Sequence, residues 1–281
     1  MWPVGVNTWV WTSPLTDEGL LRLAPRLAAW GFDTVELPVE HLGDWEPGKA
    51  AAVLAEAGLG ASVALVMPPG RDLVAAGAET VAGTQAYLRA CVDAAAAVGS
   101  PVICGPAYAA VGRTWRMGPD ERRDRYAELR ANLAPVAEYA AGRGVRIAVE
   151  PLNRYETSVL NTVEQALEAL DGLPEEGCGL ALDTYHLNIE EKHPAAAVRM
   201  AGRRVAHVQV CGTDRGTPGE DDFDWPGFAA ALREVGYAGP LVIESFTAEN
   251  QTIATAASIW RSLAATQDAL ATEGLAFLRT L

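Results

Sequence analysis

Four apolar runs in the second half of this chain each carry or close on an oxygen-bearing side chain, and that repetition limits what the chain can fold into. VRIAVE ends in Glu150, GLALD ends in Asp183, RVAHVQV carries His207 and Gln209, and PLVIE ends in Glu244. A short apolar run bounded by turn residues reads as a buried parallel strand. A carboxylate left ionised and unpaired at the end of such a strand costs several kcal/mol or takes up a proton, so it needs a cation, a set of donors or a chemical task. In a parallel barrel the carboxyl ends of all strands meet at one rim, which brings side chains remote in sequence to one pocket.

The rest of the chain alternates in the same way. VGVNTWV precedes a helix over 16–30 that Thr16 and Asp17 cap and Gly31 ends. DTVELPV is followed by a helix over 47–57 that stops at Gly58, ASVALVM by an Ala-rich helix from Thr80 to Gly99, and PVICG by a long loop and a helix that Pro119 opens. After the Glu150 strand, Asn161 and Thr162 cap a helix ending near Gly172. The Asp183 strand leads into a loop carrying His186 and then a short helix over 194–201, and the Gln209 strand into the loop CGTDRGTPGEDDFDW and a helix over 226–235. One closing helix from about Asn250 follows the Glu244 strand. Eight β/α units predict an α/β fold, a (β/α)8 TIM barrel forming a single domain over residues 1–281. An open doubly wound sheet would carry a Gly-rich turn after its first strand, and VGVNTWVW has none.

Composition narrows the partners. A formal net charge of -14 argues against a nucleic-acid partner, which needs clustered Lys and Arg. Its basic cluster ERRDR is balanced by its own acids, and four histidines are too few for the zinc cluster of an endonuclease-type barrel. No window approaches an uncharged membrane span. Cys91, Cys104, Cys178 and Cys211 lie in apolar contexts without CxxC spacing, as reduced core thiols do, and the start MWPVGVNTW has no leader pattern; the expected compartment is the cytoplasm.

With Glu150, Asp183, Gln209 and Glu244 on one rim, three carboxylates and an amide oxygen crowd together. Any one of them alone suits helix capping or a salt bridge. Together, the all-oxygen set calls for a divalent cation, Mn²⁺ foremost, with Mg²⁺ or Co²⁺ as alternatives. Such an ion can polarise a sugar carbonyl and stabilise the enediolate left when the adjacent carbon loses its proton. Glu150 and Glu244, flanking the sugar, could take the proton from one face and return one to the other, inverting that carbon; a single base moving it between neighbouring carbons would give an aldose–ketose isomerase. Trp9, Trp11 and Trp115 fall on rim segments and could wall the pocket.

The motifs EPLNRYET (150–157), LDTYHLNIEE (182–191), HVQV, DRGTPG (214–219) and VIES (242–245) resemble the xylose isomerase-like barrel superfamily, and within it the D-tagatose 3-epimerase/D-psicose 3-epimerase group. The resemblance implies a ketose 3-epimerase acting on a small sugar, with Glu150, Asp183 and Glu244 as metal ligands and Glu150 and Glu244 as the acid/base pair. It further implies that Glu156, His186 and Arg215 hold substrate oxygens, and that the protein is a homodimer or homotetramer. That group usually carries a histidine ligand where this chain has Gln209, so a hydroxypyruvate isomerase-type activity, or a lyase or dehydratase on the same scaffold, stays open. His207, on the same strand face as Gln209, is expected as a hydrogen-bonding residue behind the metal that could also reach the substrate.

Overall fold

The computed structural model describes residues 1–281. In chain order the elements are β1 (Val4–Asn7), a 3-10 turn (Thr8–Val10), α1 (Asp17–Trp30), β2 (Thr34–Val39), α2 (Pro47–Ala57), β3 (Gly60–Leu65), α3 (Ala78–Ala97), β4 (Val102–Gly105) and α4 (Pro119–Ala141). The second half adds β5 (Arg146–Val149), α5 (Val163–Ala169), β6 (Cys178–Asp183), α6 (Thr184–Glu190), α7 (Pro194–Ala201), β7 (Val205–Val210), α8 (Trp225–Glu234), β8 (Leu241–Ile243), α9 (Gln251–Ala256) and α10 (Gln267–Leu278). Eight parallel strands pair in sequence order and close when β1 meets β8, with Val4 opposite Leu241 and Val6 opposite Ile243. The chain is a single TIM-barrel domain.

Local chemistry explains the boundaries. Thr16 Oγ1 accepts the Gly19 N–H at 3.1 Å, Asp17 and Glu18 sit at the positive end of α1, and Gly31, at φ 95°, ends that helix. Glu46 does the same work for α2, accepting from Gly48 and Lys49 N–H ahead of Pro47, and Gly58 terminates it in the left-handed region.

Two segments depart from the sequence expectation. The stretch after Asp183 is not a loop: α6 begins at once, because Asp183 Oδ1 accepts the Tyr185 N–H at 2.9 Å and caps the helix itself. The closing helix is two helices, since Thr266 opens a second with its own cap, accepting from Ala269 N–H at 3.0 Å. No helix is long and apolar enough to cross a membrane.

The large apolar side chains pack between the sheet and the outer helices. Inside the barrel the filling differs. Ala64, Ala148 and Ala181 are fully buried small residues, and the space they leave is taken by Asn7, Glu36, Ser62, His207 and Gln209, all at most 1 % exposed. Register sets Asn7 beside Glu36 and Glu36 beside Ser62, and Asp183 beside Gln209, so neighbouring strands deliver these polar groups side by side.

All four cysteines are buried and free. Burial pushes the Cys91 and Cys178 thiols up to about 12 and raises Cys104 and Cys211 well above the ordinary thiol range. A folded-state pKa above the unfolded one adds stability that is full below the unfolded value and is lost as pH rises past it. A disulfide-exchange reagent at about pH 8 should therefore titrate no thiol in the native protein and all four in denaturant, and the melting temperature should fall as pH climbs above about 9. Rapid native labelling would contradict this.

Candidate metal and sugar site

At the carboxyl rim, Glu150 follows β5, Asp183 ends β6, Gln209 lies near the end of β7 and Glu244 follows β8. All four are buried, at 5, 1, 1 and 5 % exposure respectively. Oxygens of Glu150 and Asp183 and a ring nitrogen of His186 lie within 4.8 Å of one another. His186 Nε2 stands 3.5 Å from Glu150 Oε1 and 3.7 Å from Asp183 Oδ2.

Arg215 brings positive charge into this cluster. Its Nη1 pairs with Asp183 Oδ2 and, at 3.0 Å, with Glu244 Oε2, while Nη2 lies 3.0 Å from His186 Nε2. The guanidinium lies 4.1 Å from the Tyr185 ring centroid and 5.3 Å from that of Phe246, whose ring packs on Trp9 at 5.5 Å. The loop that presents it is tightly built. Arg215 itself has φ 71°, a left-handed conformation that costs a non-glycine residue and is held here by Ser245 Oγ donating to its carbonyl. Gly219, at φ 93°, passes so close to Phe277 that a Cβ would sit 2.5 Å from the ring.

The electrostatics follow from crowding. Burial, then repulsion from Glu244 and Asp183, pushes the Glu150 carboxyl well above the usual range, with Arg215 opposing. Glu244 is raised by burial too; Arg215 pulls it back while Asp183 and Glu36 push it further. For His186, burial and the nearby Arg215 lower the imidazole to about 4, so the ring is neutral near pH 7. Its Nδ1 accepts the Asn153 N–H at 2.9 Å, and the Asn153 amide also donates to Glu156 Oε1 at 2.7 Å, tying half-buried Glu156 to the same side of the site.

Below this layer sits a second buried cluster. Glu36, from the middle of β2, accepts hydrogen bonds from Asn7 Nδ2 (3.0 Å), Ser62 Oγ (2.9 Å), Cys104 Sγ (3.3 Å) and Gln209 Nε2 (2.8 Å), and its Oε2 lies 2.7 Å from His207 Nε2. Burial alone would raise its pKa, but the His207 ring and the donors outweigh that and hold the carboxyl at about 2.

The chain matches the profile described as xylose isomerase-like TIM barrel over residues 25–281. It belongs to that family. Among relatives of this barrel family, it is 33% identical over 279 residues to an L-ribulose 3-epimerase of Methylomonas sp. (strain DH-1), covering 98% of this chain and 96% of the relative. It is 32% identical over 278 residues to a ketose 3-epimerase of Arthrobacter globiformis, covering 98% and 95%. The crystal structure of a D-allulose 3-epimerase from Methylomonas sp. in complex with D-allulose superposes with a TM-score of 0.91 at 31% identity, over 99% of this chain and 96% of that one.

Of the residues expected on this xylose isomerase-like barrel, Glu150, Asp183, Gln209, Glu244, His186 and Arg215 come together, with Glu156 adjoining through Asn153. Two are placed elsewhere. His207 is fully enclosed one strand step below the rim, against Glu36, because alternation puts it inward but deeper than Gln209. Trp115 is half-buried in the loop before α4, its indole donating to Glu121 and its ring beside Arg113. Trp9 reaches the site through Phe246, whereas Trp11 packs outward on Trp30 and donates to Asp268. The residues not foreseen are Glu36, Tyr185 and Phe246. Glu36 carried a readable signal, an acid in the middle of the apolar run TVELPV.

A carboxyl depressed from 4.5 to about 2 contributes stability above its unfolded pKa and loses it as pH falls through the folded value, here on the order of 3 kcal/mol. The unfolding free-energy gap between wild type and Glu36→Gln should accordingly be largest above about pH 5 and narrow towards about pH 2. Urea titrations across that range measure it; a gap independent of pH would show that Glu36 is not held as a carboxylate.

Proposed function

We propose that this chain is a divalent-metal-dependent ketose 3-epimerase, an isomerase-class enzyme acting on an unphosphorylated sugar. The observation that carries the reading is the gathering of Glu150, Asp183, Gln209 and Glu244 at the rim of a barrel whose relatives are ketose and L-ribulose 3-epimerases. The site fits a cation on its own chemistry. Glu150 Oε1 and Gln209 Oε1 are buried without a hydrogen-bond partner, and the acids already attract the one guanidinium within reach. Glu150, Asp183, Gln209 and Glu244 would hold it through oxygen, a set suited to Mn²⁺, the proposed ion, and to Mg²⁺ or Co²⁺. Bound there, a dication polarises the sugar carbonyl and stabilises the charge that develops beside it.

The remaining work belongs to the chain. Glu150 and Glu244 come from strands separated around the rim by β6 and β7, so they approach a sugar from different sides. One of the two, as a carboxylate, would take the proton from C3, and the other, carrying a proton, would return it to the opposite face. Arg215, neutral His186 and Glu156 offer donors and acceptors to hydroxyl groups, and the flat faces of Trp9, Tyr185 and Phe246 exclude water. Four buried free thiols support a reducing compartment, the cytoplasm. A homodimer or homotetramer completes the reading, on the family resemblance alone.

In D₂O the metal-loaded protein should place deuterium at C3 of a free ketose and yield its epimer. Exchange at C1 with aldose formation would assign the aldose–ketose isomerase reading instead, and no exchange with any ketose would remove both. Glu150→Gln and Glu244→Gln should each lower turnover about 10²–10⁴-fold while the melting curve stays near that of wild type. Exhaustive chelation should abolish exchange, and adding back Mn²⁺ should restore it.

A further inference from the structure

Gln209 is bracketed by two acids. Its side-chain Nε2 donates to Glu36 Oε1 at 2.8 Å and to Glu244 Oε1 at 2.7 Å, while its Oε1 is buried with no partner. An amide nitrogen has two hydrogens, and both are committed here. Rotating the amide by half a turn would set its oxygen against two carboxylate oxygens at those separations, a repulsive contact on both sides. Only one orientation satisfies both neighbours.

We propose that Glu36 is a positioning residue for metal binding: with Glu244 it takes both amide hydrogens of Gln209 and so aims the Gln209 carbonyl oxygen at the cation. The inference rests on the metal reading above and extends it to a residue that does not itself reach the rim. Glu36 is suited to the task because it is fixed from several strands. Asn7 on β1 donates to its Oε1, and Ser62 on β3, Cys104 on β4 and His207 on β7 all meet its Oε2. With no exposure at all, it has no water to turn towards. The free oxygen of Gln209 is what such a clamp leaves over. Outer partners that fix a ligand's orientation are commonly worth about 10–100-fold in metal affinity.

The test is a double-mutant cycle read by metal affinity. Mn²⁺ is titrated into metal-stripped protein, and the free ion is followed by its electron paramagnetic resonance signal. Glu36→Gln and Gln209→Ala should each weaken binding about 10–100-fold, and the double variant should bind no more weakly than Gln209→Ala alone, since Glu36 acts through Gln209. Wild-type affinity in Glu36→Gln, or losses that multiply in the double variant, would overturn the inference while leaving the metal site standing. A wild type that binds no Mn²⁺ overturns the metal reading and this inference with it. If Glu36→Gln does not fold, the wild type decides by NMR. The Gln209 side-chain amide, assigned by its absence in Gln209→Ala, should give two distinct proton signals protected from exchange, and rapid exchange would refute the clamp.

Discussion

Burying several like charges at one mouth of a barrel is the constraint on which this structure turns. Glu150, Asp183 and Glu244 are each at most 5 % exposed, and a desolvated acid beside two others is unfavourable unless positive charge or protons are supplied. The fold supplies part of the answer through Arg215, threaded in from the loop after β7. Holding that arginine costs a left-handed backbone at Arg215 and a glycine pressed against Phe277. Such local strain persists because the buried acids over-determine where the guanidinium must go.

The barrel interior divides into two polar layers with different charge logic. In the lower one a single carboxylate, Glu36, meets donors on most of its lone pairs and stays ionised far below the usual range. In the upper one, acids outnumber donors, and the Glu150 and Glu244 carboxyl groups are driven upward. One residue joins the two, Gln209, whose amide touches an acid of each layer. Small residues at Ala64, Ala148 and Ala181 make room for this polar filling, where a purely structural barrel would pack branched apolar side chains.

Much of this was legible in the chain. Acids that close apolar runs announce themselves, because nothing else in a buried strand terminates that way; Glu150, Asp183 and Glu244 could be placed on one rim from topology alone. The β/α alternation and the Gly31 and Gly58 stops needed only local rules. What could not be read was whatever depends on depth. Period-two alternation says that His207 and Gln209 face inward but not that one meets Glu36 and the other the rim. Glu36 stands out as an acid inside an apolar run, but its role depends on Asn7 and Ser62 lying in register beside it, which that run alone does not show. The helical setting of His186 escaped because its cap is Asp183, a residue already assigned another task.

The charge sum explains why the β7 rim position carries a neutral side chain, Gln209, in place of a fourth acid. With all three rim carboxylates ionised, Arg215 alone leaves an excess of two negative charges, which the proposed dication would cancel. A ligand at the β7 position would then add an oxygen or nitrogen donor without adding charge of either sign. A fourth carboxylate would restore the excess, and it would face Glu36 from below and Glu244 from the side with no hydrogen to offer either. A neutral imidazole that used one nitrogen on the metal would have a single N–H left for two acceptors. An amide has an oxygen at one end and two hydrogens at the other, so Gln209 can donate to Glu36 and Glu244 at once and still hold its oxygen free for the proposed cation.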